Sequence, residues 1–371
     1  MIYLFCFIIS AGFAFFASRA ENRTKFYILS FFSIAVMVAL AGFRDYTVGT
    51  DTYNYLNKQM YWGGAVSADS LWDYFKFYFP LGYGEPLFAI LVGVIAQLTG
   101  NFTIFLIVCH TIILICVYIG IFRFKNYINP AFVLLVYYLL YYNHTLNMTR
   151  QYIAVSIVFC FLADIPQNKI FRFCIAVLVA ILFHTTAILA LIIPFIYFFL
   201  YKDYRKIKVS MYQRKLALTV IVGMIVIFFP VLVNLLVNIG ILNSRYLFFL
   251  NNKDASPTII VMAMVIIGLV AADFFKDKIK KKCQFYDFYF MSSAVYLILL
   301  LLTYSLVYGR RVAFYMSMVD LITIGLIESC QDTEKKQRVT RIAILTIIFI
   351  YWIYTYVLSN ASQTFPYVLG I

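Results

Sequence analysis

Five arginines at the ends of long apolar runs, Arg44, Arg150, Arg245, Arg310 and Arg311, are the residues best equipped for chemistry in this chain. A guanidinium is planar and permanently charged, and its fork of donors suits phosphate oxygens better than the point charge of a lysine. In Asn143-His144-Thr145-Leu146-Asn147-Met148-Thr149-Arg150-Gln151, two amides precede an arginine inside an apolar region. If that stretch continues as helix, Asn143, Asn147, Arg150 and Ala154 share one face, with Gln151 next to it. Such a group suits an anion; the alternative is an Arg150 that snorkels to a membrane interface. In Gly309-Arg310-Arg311-Val312-Ala313-Phe314-Tyr315 a span opens with adjacent guanidiniums. There Tyr308, Arg311 and Tyr315 share a face, which turns Arg311 inward and Arg310 along the interface. Arg245, in Asn243-Ser244-Arg245-Tyr246, is either a further fork or a solvated loop residue.

Proton chemistry falls to three other positions. His184, in Leu182-Phe183-His184-Thr185-Thr186-Ala187, is the polar break in a long apolar stretch. A histidine there serves as a general base or phosphate donor, or simply caps a turn on backbone carbonyls. Asp51 and Glu85 lie in the polar segment from Arg44 to Glu85 and are rival bases; equally, Asp45 neutralises Arg44 and Asp51 binds backbone in a turn. Asp320, inside a span, requires a partner that nothing in the sequence identifies. No Walker loop, dinucleotide fingerprint, nucleophile elbow or metal-ligand cluster is present, so no cofactor or metal is expected.

The elements that must position these side chains are set by composition. Of 371 residues 64% are hydrophobic and 12% charged, with a mean hydropathy of +0.89. Ordinary soluble domains are about half apolar and a quarter charged. The chain is therefore expected to be all-α, a polytopic transmembrane helical bundle, because lipid offers backbone polar groups no partners. About twelve spans are expected, over 2–18, 26–43, 103–122, 130–143, 151–163, 170–183, 186–200, 215–238, 257–275, 287–306, 311–328 and 342–358. Residues 86–98 are also apolar, and either cross or form a re-entrant helix. The second choice puts the basic clusters of Arg19 to Lys25, Lys202 to Lys215, Lys276 to Lys282 and Lys335 to Arg341 on one side, as the positive-inside rule prefers. It leaves both termini, the loop 44–85 and all five arginines on the other side. The expectation is one integral-membrane domain over 1–371.

Those basic clusters sit in short loops between apolar runs, so the net charge of +14 does not argue for nucleic acid. The seven cysteines show no CxxC spacing, and neither a disulfide frame nor a zinc site is expected. The run from Ile2 to Ala17 lacks a basic leader and reads as a first span.

Four stretches together resemble the EpsG-like branch of Wzy-type polysaccharide polymerases. They are Val48-Gly49-Thr50-Asp51-Thr52-Tyr53, Gly84-Glu85-Pro86-Leu87-Phe88, Asn147-Met148-Thr149-Arg150-Gln151-Tyr152-Ile153-Ala154 and Phe183-His184-Thr185-Thr186-Ala187. Thr186 departs from the serine usual in that pattern but keeps the hydroxyl. The resemblance implies a GT-C-like, metal-independent enzyme of the bacterial cytoplasmic membrane. It would join oligosaccharide repeat units carried on undecaprenyl pyrophosphate, at the outer face, into O-antigen, capsule or exopolysaccharide. Arg150, Arg310 and Arg311, helped by Arg44 and Arg245, would bind the pyrophosphate. His184, Asp51 or Glu85 would serve as base, and Asn147, Gln151 and Tyr315 would contact substrate. A chain-length regulator is a partner expected from the resemblance alone. The competing reading is a flippase or transporter for lipid-linked oligosaccharide, for which alternating access predicts internal repeats that the sequence lacks.

Overall fold

The computed structural model describes residues 1–55, 70–78, 85–202, 209–240, 247, 250, 258–304 and 309–370. Among the described residues the chain is helical, with one isolated bridge between Arg44 and Leu369 and no strand. Six helices are long and apolar enough to cross a membrane: Arg23–Gly42, Phe102–Phe122, Met211–Asn238, Tyr286–Tyr304, Gly309–Ser329 and Glu334–Leu358. A seventh candidate is the pair Thr258–Phe274 and Lys276–Lys282, bent by 75°. Ile2–Ser18, Pro86–Thr99, Ile170–Phe183 and Thr185–Tyr201 are apolar but shorter.

The chain divides into two compact units, Met1–Asp164 with Phe171–Ile188 and Thr333–Ile371, and Ile165–Ile170 with Leu189–Asp332. The first carries α1 (Ile2–Ser18), α2 (Arg23–Gly42), α3 (Thr52–Asn54), α4 (Leu71–Tyr78), α5 (Pro86–Thr99), α6 (Phe102–Phe122), α7 (Pro130–Tyr137), α8 (Asn143–Asn147), α9 (Thr149–Cys160) and nearly all of α10 (Ile170–Phe183). The second carries α11 (Ile192–Tyr201), α12 (Met211–Asn238), α13 (Thr258–Phe274), α14 (Lys276–Lys282), α15 (Tyr286–Leu300) and α16 (Gly309–Ser329). The chain then returns to the first unit in α17 (Glu334–Trp352).

Polar side chains hold the first unit together from within, as expected where lipid gives helices no hydrophobic reason to associate. In the α1–α2 hairpin the Ser10 hydroxyl donates to the Ser33 carbonyl at 2.7 Å, and Ser33 returns the bond to the Ser10 carbonyl at 2.9 Å. The Tyr142 hydroxyl donates to the Met37 carbonyl at 2.7 Å, and Tyr356 to that of Leu140 at 3.0 Å.

The chain reverses direction within 143–150, but most of that stretch is helix. A π-helical turn over Tyr138–Tyr142 carries α7 into α8, and the helix breaks only at Met148, where φ is −98° and ψ is 53°. The single face expected for Asn143, Asn147, Arg150 and Ala154 is therefore lost, because the break lies between the second and third of them. The Asn143 amide has distant partners. Asn143 accepts from Trp352 Nε1 and donates to Thr364 Oγ1, both at 3.0 Å.

α5 does not run alongside α6. Phe88, one turn into α5, meets Phe105, one turn into α6, with ring centroids 6.1 Å apart. An antiparallel pair turning at Gly100 would instead bring Phe88 opposite the middle of α6. α5 thus lies obliquely over the first turn of α6, and its 14 residues extend only about 21 Å, short of a hydrocarbon core of about 30 Å.

Connectivity sorts the ends of this unit. Tyr3 donates to the Thr364 carbonyl at 2.6 Å, which brings the start of α1 to the segment after α17. That segment also accepts from Asp45 N through Val368 O and donates from Gly370 N to Phe43 O, each at 2.9 Å. At the far end Arg123 donates to Cys160 O at 2.9 Å and pairs with Asp164, which joins the ends of α6 and α9. Arg19, Arg23, Lys25, Arg123, Lys335 and Lys336 lie at that far end, away from Arg44 and Arg150.

In the second unit Ser210 and Gln213 form a capping box at the start of α12. Asp287 accepts from Lys215 at 2.5 Å and from Lys280 at 3.1 Å. Ser293 and Thr323 join α15 to α16 at 2.9 Å.

Candidate functional site

Three elements of the first unit converge through one carboxylate. Glu85 precedes Pro86, whose fixed φ starts α5 at its first position. Arg150 lies in the first turn of α9, re-aimed by the break at Met148. His184 follows α10, its N–H on Ala180 O at 2.8 Å and its carbonyl accepting from Ala187 N at 2.9 Å. Arg150 Nη1 donates to Glu85 Oε2 at 2.6 Å, and His184 Nδ1 lies 2.5 Å from Glu85 Oε1. Three candidates named separately in the sequence therefore share one site.

The electrostatics follow from burial and these two partners. Glu85 is only 5% exposed. Burial pushes its carboxyl up, but the bond from His184 and the charge of Arg150 outweigh this and hold it below the usual carboxylate range. With Glu85 ionised, Nδ1 must be the donor, and a neutral imidazole then presents its lone pair at Nε2. The Arg150 guanidinium also lies 5.8 Å from the Tyr55 ring centre and 5.6 Å from that of Phe88. Tyr55 was not singled out in the sequence, where its only signal is its place one turn after Asp51. Burial pushes its phenol up, against the opposing charge of Arg150.

Arg44 is committed to two helix ends. It is 2% exposed, and its guanidinium donates to Ala41 O at 2.6 Å and to Leu146 O at 2.8 Å. Both carbonyls belong to last turns, of α2 and α8, where no intrahelical donor remains. One cation thus caps two helix C-termini, where positive charge is favoured. Burial lowers its pKa to about 10, which leaves it charged at neutral pH.

Asn147 holds the next layer. Its Oδ1 accepts from Thr50 Oγ1 at 2.8 Å and from Asp51 N at 2.6 Å, which fixes the loop before Tyr55. Gly49 makes that loop possible. Its φ is +99°, and a Cβ there would sit 2.7 Å from Thr52 Oγ1 and 2.9 Å from the Leu146 carbonyl. Gly49→Ala is expected to destabilise the protein by about 2–3 kcal/mol through positive φ and steric overlap. A thermal melt in detergent checks this, and an unchanged midpoint would count against the loop geometry.

The remaining sequence candidates are distributed over both units. Gln151 is buried at the start of α9. In the second unit Arg310 and Arg311 are half-buried at the start of α16, with the Arg310 guanidinium 6.0 Å from the Phe314 ring centre. Tyr315 and Asp320 are buried further along α16, Asp320 beside Ser293. Arg245 and Tyr308 lie outside the described residues. Among the described residues no three His, Cys, Asp or Glu side chains are grouped as metal ligands.

Several long apolar helices, together with polar groups that find their partners inside, define a multi-pass helical membrane protein. Its half-buried Arg–Glu–His cluster lies at the end of the first unit opposite the basic turns. The profile of the EpsG family matches residues 27–369 of this chain, and the chain belongs to the EpsG family. The matched region includes every candidate residue named above. No curated protein and no solved structure matches the chain.

Proposed function

We propose that this protein is a glycosyltransferase that polymerises polysaccharide. Its substrates would be undecaprenyl-pyrophosphate-linked oligosaccharide units, joined at the outer face of the bacterial cytoplasmic membrane in a GT-C-like, many-span architecture. The observation that carries the reading is the Arg150–Glu85–His184 cluster in a member of the EpsG family. Cleavage of the donor leaves a diphosphate, whose growing charge needs fixed cations nearby.

In this reading Arg150 exchanges part of its contact with Glu85 for the departing diphosphate, and Arg310 and Arg311 are further cationic candidates. Glu85 keeps His184 oriented, so that Nε2 accepts the proton of the sugar hydroxyl that attacks the donor carbon. The carboxylate acts as the orienting partner of the histidine and leaves proton transfer to the imidazole. Asn147, Gln151 and Tyr315 are candidates for sugar contacts, and Asp51 for a rival base. Arg44 serves as a support and Tyr55 as a wall for Arg150. O-antigen, capsule and exopolysaccharide are the product classes, and a chain-length regulator is a candidate partner.

The direct test is reconstitution of the purified protein with a synthetic undecaprenyl-pyrophosphate oligosaccharide. A ladder of products spaced by one repeat unit is expected. Transbilayer movement of the substrate without any ladder would replace this reading with a flippase.

A further inference from the structure

The surface between α9 and α10 is indented. Ile157 and Phe161 of α9 and Ile175, Ala176 and Val179 of α10 line a cavity of about 370 Å³, with Arg172 at one end. Ala176, small and buried, leaves the space, while Phe171, Leu178 and Leu182 stand exposed on the same helix. Large apolar side chains turned outward from a membrane helix meet acyl chains, so the groove opens onto lipid.

Arg172 is the feature that an apolar groove does not explain. Its side chain is exposed and makes no hydrogen bond or ion pair with any described residue. Arg123, at the same end of the unit, is committed to Asp164 and Cys160 O. From Arg172 to Val179 the helix rises about 10 Å, and from Arg172 to His184 roughly 18 Å. The groove therefore begins at the basic end of the unit, far from the Glu85 cluster, and runs into the apolar zone. A hydrocarbon slot that ends at an uncommitted guanidinium has the shape and charge of one acyl chain with a phosphate at its head.

We propose that this groove is a site for an anionic glycerophospholipid of the leaflet opposite the candidate active site. One acyl chain lies over Ala176 and the phosphate rests on Arg172. A zwitterionic lipid offers the same chain without the net charge, so the site prefers the anionic headgroup by about five-fold. The basic residues gathered at that end of the unit favour the same choice, since juxtamembrane cations attract anionic headgroups. The site is separate from the polymerase reading and stands or falls independently of it.

Native mass spectrometry of the detergent-purified full chain tests this with phosphatidylglycerol and phosphatidylcholine as probes. Wild-type protein is expected to retain phosphatidylglycerol about five-fold more than phosphatidylcholine. Arg172→Gln is expected to erase that preference, while Ala176→Leu, which fills the slot, lowers retention of both lipids. A thermal melt of each variant shows that folding is intact, and only both variants behaving as described support the site, so an Ala176→Leu protein with unchanged retention overturns it. Equal retention of the two lipids by wild type, or an unchanged preference in Arg172→Gln, overturns the proposal. So does displacement of bound lipid by a polyprenyl phosphate that is indifferent to Arg172→Gln, which would assign the groove to the carrier's tail.

Discussion

Glu85→Gln is expected to abolish most polymer formation, by on the order of 10³-fold or more, although the side chain keeps its shape. A carboxylate offers two acceptor oxygens, one for Arg150 and one for His184; an amide offers one acceptor and one donor. If the amide oxygen keeps Arg150, its NH₂ faces Nδ1 and selects the imidazole tautomer with the proton on Nε2. A histidine in the wrong tautomer loses general-base function on that scale in enzymes that orient it with a carboxylate. The same substitution should change acid sensitivity. The lowered pKa of Glu85 means that its pairing stabilises the folded state above the ordinary carboxylate range of about 4.3. That contribution disappears as pH falls through the lower folded value. The melting temperature of wild type should thus drop in acid more steeply than that of Glu85→Gln. Parallel acid profiles, or a Glu85→Gln protein with normal polymer output, would remove the cluster from the mechanism.

Arg150→Ala should lower polymer formation at least about 100-fold if the guanidinium stabilises the leaving diphosphate as fixed donors do elsewhere. Arg150→Lys should recover only part of that, because a compact ammonium cannot reproduce the fork geometry toward phosphate oxygens. Both variants leave Glu85 with His184 as a partner, so insertion and detergent-soluble yield should survive. Product length by gel and membrane content by blot separate the two effects. Long polymer from a normally inserted Arg150→Ala protein would exclude the assigned role.

The helical character and the long spans were legible because composition and hydropathy act over whole segments. The region 130–160 was legible in outline, since the reversal falls between the two expected spans, but the helix runs on through Asn143 to Asn147. Nothing in the sequence pointed to the partners of Asn143, Trp352 and Thr364, which lie 209 and 221 residues away. Short apolar helices such as α5 were ambiguous for a related reason, since sequence gives length but not tilt. In the site, Glu85, Arg150 and His184 could each be named from residue type. Their union could not, because Glu85 meets partners 65 and 99 residues distant. Arg44 carried the same chemical promise as Arg150, but helix carbonyls at Ala41 and Leu146 claim its donors. Residue type alone cannot tell a cation that faces a ligand from one that closes two helices.

Residues 362–370 also set an order of events. Phe43, Asp45, Gly49 and Thr50 take backbone partners from Gly370, Val368, Gln363 and Ser362. Those partners leave the ribosome long after α1 to α10 have entered the bilayer. The loop before the Arg–Glu–His cluster must therefore wait, incompletely bonded, until residues 362–370 have been made. A chain that stalls within α17 would hold α1 to α10 in the bilayer while Phe43, Asp45, Gly49 and Thr50 still lack these backbone partners.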